Sequence, residues 1–363
     1  MNIKIYGTGT SGHQLVKQKV KEILSDAGIT YILEDISDVS KFIRDNVYSV
    51  PAIKINNDTI YEIKPNGNFN VSLRKAIQSI LQKAKYGNMV KIIVPTDFSE
   101  ASLNAYNFAR GLAKSLNGVI FLTHVYFPTS AQLNELTYTD ADLEAKSRKK
   151  LEDLVKSLNQ DWIGEFVKEP LVEARFKVGF PVKELVQISE EPNTIMVMGS
   201  TGEGDQFKKI FGSLSLDLLK SARCPLYLIP KELKYQETNH ILFCSENLKE
   251  DANAIISAGK ICVETHKSLH ILHVSLNALS DNYDETLLRE LISKYYPELG
   301  YAVYVTHAPN VKAGLDKAIQ NNPYELLVFN TKYRNFFGEL FHDSVTEHVA
   351  MYYDKAILIY HQE

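Results

Sequence analysis

Three glycines and two serines form the stretch of this chain best suited to hold a phosphate. They are Gly199, Gly202, Gly212, Ser213 and Ser215. An apolar run at 194–198, typical of a buried strand, precedes them, and a run with helical spacing follows at 214–219. Backbone N–H groups and the positive end of the helix dipole collect at such a helix start, and each favours an anion by about 0.3–1 kcal/mol. The pattern predicts a nucleotide or phosphate site; the alternative is a glycine-rich connection that binds nothing.

Alternating strands and helices position this stretch within a domain predicted at 89–231. Strand-like runs at 90–94 and 119–125 alternate with helical patterns, which predicts a parallel sheet covered on both faces. In such sheets, ligands bind beyond the carboxyl ends of the strands. Asp97 follows the first of these strands, Val125 ends the second, and the glycines follow a third. We therefore expect all of them to converge on one crevice.

A further domain, predicted at 239–363, repeats this plan after a polar linker. Glu246 lies 149 positions after Asp97, and His273 lies 149 positions after His124, in each case at a matching strand. The two histidines lie inside apolar strands of different copies, which favours core histidines over metal ligands, and we expect no metal site. The sequence therefore predicts an internal repeat.

The phosphate motif is not repeated in the second copy. The positions that match the three glycines carry Asn330, Tyr333 and Asp343. Tyr333 puts bulk where a backbone should approach a phosphate, and Asp343 puts a negative charge there. We expect the second copy to bind no nucleotide.

The composition of the chain excludes several classes of protein. With 363 residues, 45% of them hydrophobic and 23% charged, the chain has the profile of an ordinary globular protein of two or three domains. A net charge of −4 argues against nucleic-acid and anionic-membrane partners, and no apolar run approaches the length of a membrane span. The cysteines lack CxxC spacing, which argues against disulfides and zinc and favours a reducing cytoplasm. They are Cys224, Cys244 and Cys262.

Residues 1–88 are predicted as a separate domain with the order β-α-β-α-β-β-α. This order, with Val50-Pro51 before the third strand, resembles thioredoxin-like domains, and the resemblance implies a cis peptide bond at Pro51. The family's CxxC follows the first strand, where this chain has Thr10 and His13. These residues cannot exchange a dithiol, so we predict a redox-inactive domain kept for docking or folding. The alternative is that the loop still holds an anion or a peptide, with His13 near its helix start.

Residues 89–363 resemble universal stress protein domains. The resemblance is carried by the runs 94–100, 124–125, 179–181, 198–204, 212–215 and 224–225, and it is specific in the first copy and weak in the second. It implies an α/β fold of the HUP (Rossmann-like) type with a parallel five-stranded sheet in each domain. The predicted architecture is therefore a thioredoxin-like domain followed by two universal stress protein domains.

The same resemblance implies a nucleotide site in the first copy. Asp97 would lie near the adenine and ribose, the Val125 backbone would contact the base, and the glycines and serines would hold the phosphates. The implied site comprises Pro95, Thr96, Asp97, Val125, Met198, Gly199, Gly202, Gly204, Gly212, Ser213 and Ser215. The implied ligand is ATP, with ADP or AMP as alternatives and Mg²⁺ as a companion.

One departure from the family pattern bears on the phosphates. Members often carry His-Gly-Arg around the second glycine, whereas this chain has Thr201, Gly202 and Glu203. Glu203 removes a cation from the phosphate side, and Lys208 and Lys209 are candidate replacements for it.

The resemblance further implies dimers through the last strand of each domain. In this chain the runs 226–229 and 357–360 would pair, which would form an intramolecular pseudo-dimer and cover two otherwise open strand edges. We expect a cytoplasmic stress-response protein that binds one ATP and regulates protein partners. Phosphoryl transfer normally needs a metal-holding carboxylate and a positioned base or lysine, and no such set is evident. The alternatives are a slow ATP hydrolase or nucleotidyl transferase, and a scaffold that binds no nucleotide.

Overall fold

The computed structural model divides into two compact units, residues 1–88 and residues 89–363. The residues that it describes are 2–26, 30–55, 59–63, 73, 76, 89–127, 140–160, 170–200, 213–235, 239–245, 247–276, 285–321, 324, 326–331 and 355–361. Within these residues, no helix is both long and apolar enough to cross a membrane.

The smaller unit is built on a four-stranded sheet with the order β2-β1-β3-β4. Its elements are β1 Asn2–Tyr6, α1 Ser11–Asp26, β2 Ile32–Ile36, α2 Val39–Arg44, β3 Ala52–Ile55 and β4 Thr59–Glu62. β1 runs parallel to β2 and antiparallel to β3. Val16, Val20 and Leu24, spaced by four residues, form the buried stripe of α1 that packs on the sheet. The order agrees with the prediction, the Val50–Pro51 bond is cis as implied, and the last predicted helix is described only at residues 73 and 76.

The larger unit contains one ten-stranded sheet covered by helices. Its strands are β5 Val90–Pro95, β6 Gly118–Tyr126, β7 Val172–Val178, β8 Thr194–Ser200, β9 Leu226–Pro230, β10 His240–Cys244, β11 Ser268–Ser275, β12 Tyr301–His307, β13 Leu326–Thr331 and β14 Ala356–His361. Its helices are α3 Glu100–Ser115, α4 Asp140–Gln160, α5 Pro181–Ser189, α6 Ser213–Ser221, α7 Leu248–Glu264, α8 Thr286–Tyr295 and α9 Val311–Asn321. The strand order is β12-β11-β10-β13-β14-β9-β8-β5-β6-β7. β5 and β9 are almost entirely buried, as expected for strands covered on both faces.

An antiparallel junction lies in the middle of this sheet. Strands on either side of it run parallel to their neighbours, and only β14 and β9 run antiparallel to each other. Ile357 lies opposite Leu228, and Ile359 lies opposite Leu226. This is the pairing that the two apolar terminal strands predicted. It covers the edge of both strands and joins the halves into one sheet.

The two halves of the sheet have the same strand register. Ile92 of β5 lies opposite Ile120 of β6, and 149 positions later Ile241 of β10 lies opposite Leu269 of β11. The helices that follow β5 and β10 both end two residues before a residue in the left-handed conformation. These residues are Asn117 (φ 47°) and His266 (φ 55°), which are also 149 positions apart.

Candidate functional site

A cavity of about 320 Å³ opens at the carboxyl ends of β5, β6 and β8. The first turns of three helices, α3, α5 and α6, complete its wall. It is lined by Pro95, Thr96, Asp97, Ser99, Ala101, Ser102, Thr123, His124, Val125, Pro181, Leu185, Met198, Gly199, Ser213, Leu214 and Ser215. The positive ends of these helix dipoles lie at the wall, which favours an anion there.

Most residues of the sequence-predicted site lie in this wall. Those present are Pro95, Thr96, Asp97, Val125, Met198, Gly199, Ser213 and Ser215. Gly202, Gly204 and Gly212 lie outside the described residues, as do Glu203, Lys208 and Lys209. The prediction included the start of α6 but missed the wall contributed by the starts of α3 and α5 and by His124. Ser99 was recognisable as a helix cap and Pro181 as a helix start, but neither signal indicates which side of a helix faces a cavity.

Asp97 lies in a tight turn between β5 and α3. Its Oδ1 atom accepts a hydrogen bond from the Ser99 N–H at 3.0 Å, and the Thr96 hydroxyl accepts one from the Phe98 N–H at 3.0 Å. Phe98 has φ 68°, a left-handed conformation that is uncommon outside glycine and is held here by these contacts. Burial raises the pKa of Asp97, but hydrogen bonds from Ser99 and Ser102 lower it by more than burial raises it. The net pKa of Asp97 therefore lies below its usual range. The carboxylate is therefore ionised at neutral pH and can accept hydrogen bonds from a ligand.

His124 uses both ring nitrogens within the protein. Nδ1 lies 2.7 Å from the Thr96 carbonyl oxygen, and Nε2 lies 2.9 Å from the Ser147 hydroxyl oxygen. Because a carbonyl only accepts, Nδ1 carries the proton and Nε2 accepts from Ser147. His273 makes the corresponding contact, with Nδ1 3.1 Å from the Ser245 carbonyl oxygen. These contacts support the interpretation as core histidines, and the described residues contain no cluster suited to a metal ion.

Gly199 is needed for a close approach between β8 and α3. A Cβ atom at this position would lie 2.5 Å from the Ala101 carbonyl oxygen, well inside normal contact distance. The buried Ser215 hydroxyl lies 3.5 Å from the Gly199 carbonyl oxygen on the other side. The sequence analysis assigned Gly199 to phosphate binding. In the structure, the close packing of α3 against β8 is by itself sufficient to require a glycine at this position.

The described wall of the cavity has one acidic side chain, Asp97, and no lysine or arginine. Its apolar part comes from Pro95, Val125, Leu185 and Met198, among others. Such a cavity suits a ligand with an uncharged ring system and hydroxyl groups, with its anionic end at the helix starts.

In the smaller unit, the structure places His13 in the interior with 2% of its surface exposed. Its Nδ1 accepts a hydrogen bond from the Gly9 N–H at 3.1 Å, and its Nε2 lies 3.0 Å from Asp35 Oδ1. Thr10 accepts from the His13 N–H at 3.4 Å. Both ring nitrogens of His13 therefore lie near groups of the protein, and the alternative of an anion or a peptide held by the loop stays a prediction.

None of the cysteines has the surroundings of a nucleophile. Burial raises the pKa of Cys224 to about 12 and that of Cys262 to about 12. Burial also raises the pKa of Cys244. All three are free thiols that stay protonated at neutral pH.

Comparison with known proteins identifies two families. Residues 89–230 match the universal stress protein family, and residues 1–82 match a thioredoxin domain family. A universal stress protein of Methanocaldococcus jannaschii is 26% identical over 152 residues, which cover 40% of this chain and 84% of that protein. A second one from the same organism is 24% identical over 159 residues, covering 39% of this chain and 95% of that protein.

The fold of the larger unit also occurs in a solved structure. The crystal structure of a universal stress protein from Archaeoglobus fulgidus has a TM-score of 0.58 and 20% identity, covering 75% of this chain and 98% of that chain. At this identity the likeness concerns the fold. The comparisons therefore show a match to the universal stress protein family over residues 89–230 and a match to a thioredoxin domain family over residues 1–82.

Proposed function

We propose that the domain at residues 89–231 binds one adenine nucleotide and serves as a regulatory binding module in the cytoplasm. ATP is the proposed ligand, with ADP and AMP as alternatives and Mg²⁺ as a companion of the phosphates. The observation that carries the proposal is the cavity of about 320 Å³, whose wall contains the described residues of the predicted site. Its volume lies within the range of about 300–1,000 Å³ common for small-molecule sites.

The chemistry of the wall assigns a role to each part of the ligand. The ionised Asp97 carboxylate accepts hydrogen bonds from ribose hydroxyls or the adenine amino group, and the Val125 backbone contacts the base. Pro95 and Met198 provide apolar contact with the ring. Ser213 and the start of α6 hold the phosphates, together with Gly202, Gly204 and Gly212, which precede α6 in the sequence.

The second half of the larger unit is proposed to be a second universal stress protein domain that binds no nucleotide. Its support is the strand register shared by both halves and the likeness of the whole unit to one universal stress protein chain. The antiparallel pairing of β9 with β14 would then be the interface of an intramolecular pseudo-dimer.

The smaller unit is proposed to be a redox-inactive thioredoxin-like domain kept for docking or folding. Thr10 and His13 stand where the family has its cysteines, and His13 is bound to Gly9 and Asp35 in the interior. Neither residue supplies a thiolate, so exchange with a disulfide has no nucleophile here. Protein partners of this domain are part of the proposal.

The first experiment is mass spectrometry of small molecules released from freshly purified, denatured protein. We expect ATP, ADP or AMP at about one per chain, and calorimetric titration with each nucleotide then gives the preference. Asp97→Ala should weaken binding about 10- to 100-fold, because a charge-assisted hydrogen bond contributes about 1.5–3 kcal/mol.

Asp153→Ala is the matched control, because Asp153 is exposed on α4 and does not line the cavity. No released nucleotide together with no binding in the titration would refute the proposal and favour a scaffold. Magnesium-dependent turnover of ATP that disappears in Gly212→Val would instead identify the slow hydrolase or transferase.

A further inference from the structure

The position that corresponds to the cavity in the second half is defined by the strand register. Ile93 of β5 lies opposite Met196 of β8, and Leu242 of β10 lies opposite Leu327 of β13. Along β13, this alignment brings Asn330 to the position that Gly199 has on β8.

The helix on this side can be aligned in the same way by its hydrogen bonds. In the first half, the Ser102 hydroxyl lies 3.0 Å from the Thr96 hydroxyl. In the second half, the Asp251 carboxylate accepts a hydrogen bond from the Ser245 hydroxyl at 2.8 Å. Both residues of the second pair lie 149 positions after their counterparts, so Asp251 replaces Ser102.

Ser102 and Gly199 leave space in the first half. Both line the cavity, and together their side chains contribute only the CH2–OH group of the serine. The Ser102 hydroxyl is directed at the protein, because it also donates to the Ser99 carbonyl oxygen at 2.9 Å. The backbone of α3 can approach β8 closely because position 199 has no Cβ atom.

Asp251 and Asn330 bind each other at the equivalent position of the second half. The Asn330 side-chain amide donates to Asp251 Oδ1 at 2.8 Å and lies 3.5 Å from the Glu250 carbonyl oxygen. The other carboxylate oxygen of Asp251 accepts from Ser245 and, at 3.3 Å, from the Asn247 N–H. Asp251 is 6% exposed and Asn330 is 8% exposed. The pair is therefore part of a buried cluster in which the Asp251 carboxylate accepts hydrogen bonds from Ser245, Asn247 and Asn330.

We propose that the Asp251–Asn330 pair is a built-in plug that occupies the ligand position of the second half and excludes nucleotides from it. The plug takes the space of the ligand and puts a negative charge where a phosphate would lie. The inference rests on the proposed function, because it explains why one half binds and the other does not.

The plug can be tested by moving its charge into the first half. In Ser102→Asp the new carboxylate should face the cavity beside Thr96, and nucleotide affinity should fall roughly 10- to 100-fold by like-charge repulsion. Ser102→Asn has the same size without the charge, so the comparison of the two variants isolates the effect of the charge, and Ser102→Asn should bind clearly more tightly than Ser102→Asp. The double variant Ser102→Asp/Gly199→Asn carries the whole plug; because a side chain at position 199 meets the Ala101 backbone, its folding is first checked by circular dichroism, and the folded double variant should release no nucleotide when denatured.

The outcomes separate this inference from the proposed function. Binding by the unchanged chain with equal affinities of Ser102→Asp and Ser102→Asn would overturn the plug and leave nucleotide binding standing. No binding by the unchanged chain would refute the proposed function and this inference with it.

A second measurement does not depend on the folding of the transplanted pair. Asp251→Ala, Asn330→Ala and their combination are compared in urea unfolding. If the pair forms a unit, the double variant loses clearly less stability than the sum of the single variants. Additive losses would overturn the proposed pair.

Discussion

Gly199→Ala distinguishes a glycine needed for helix packing from a glycine needed for a ligand. The added Cβ atom would lie 2.5 Å from the Ala101 carbonyl oxygen and 2.8 Å from its carbonyl carbon. Both atoms belong to the backbone of the first turn of α3, so they cannot rotate away as a side chain would. Either β8 or the start of α3 must move.

The size of the effect follows from two opposing contributions. Overpacking of this kind costs about 1–3 kcal/mol, while replacing glycine inside a strand by alanine returns about 0.5–1 kcal/mol. We therefore expect the free energy of unfolding of the larger unit to fall by about 1–2 kcal/mol. Urea unfolding followed by circular dichroism measures it, with nucleotide affinity determined on the same preparation.

Gly300→Ala is the matched control for this substitution. A Cβ atom at Gly300 would meet its nearest neighbour, the Ser268 Cβ atom, at an ordinary distance of 3.7 Å. Its stability should stay within about 0.5 kcal/mol of the unchanged chain. If Gly199→Ala is as stable as this control and only its nucleotide affinity collapses, the glycine serves the ligand and the packing argument is wrong.

Three other substitutions test contacts away from this glycine. Tyr235→Phe removes the hydroxyl that lies 3.1 Å from the Ser115 hydroxyl and should cost about 1 kcal/mol in urea unfolding, while Tyr235→Ala, which also removes the ring packed over α3, should cost more. His124→Leu leaves a buried carbonyl unpaired and should cost about 1–3 kcal/mol, whereas His124→Asn should retain part of that stability; equal losses would contradict the assigned hydrogen bonds. A side-chain hydrogen bond from Lys17 lowers the pKa of Asp35, so this carboxylate stabilises the fold above its unfolded pKa and loses that effect as pH falls. Asp35→Asn should therefore cost less than about 1 kcal/mol at pH 7, and the difference should shrink towards pH 3; a constant difference would refute the charge-based reason.

Sequence patterns predicted the parts of the fold that depend on local periodicity. The mainly apolar run at 90–94 and the apolar run at 226–229 are nearly entirely buried strands, and the second pairs with 357–359 as expected. Asp97 and Val125 lie at one cavity because the carboxyl ends of parallel strands share an edge. The burial of a strand and the place of a residue at its end follow from the sequence of that strand, whereas the pairing of β9 with β14 was expected from the resemblance to universal stress protein domains.

The parts that were missed depend on how separate elements cross. Ser102 lines the cavity because the first turn of α3 faces β8, and no periodicity within α3 specifies that direction. The position of His13 also depends on how two elements pack. His13 lies on α1 and its partner Asp35 lies on β2, so the sequence of neither element alone specifies the contact. Gly199 was singled out for phosphate binding, which stays a prediction, and the packing contact that requires a glycine involves Ala101, almost a hundred residues earlier.

The two halves of the larger unit separate what makes the fold from what makes the site. Registers and helix ends agree at a constant offset, so backbone geometry does not explain why one half would bind and the other not. The difference in the described residues lies in side chains: a serine and a glycine beside the cavity of the first half, and Asp251 with Asn330 in the second. A buried carboxylate is costly unless its oxygens are hydrogen-bonded, and the protein supplies those bonds from Ser245, Asn247 and Asn330. Because the charge is satisfied internally, the second half keeps its fold without a ligand, and the pair can persist at a position where the first half keeps an open cavity.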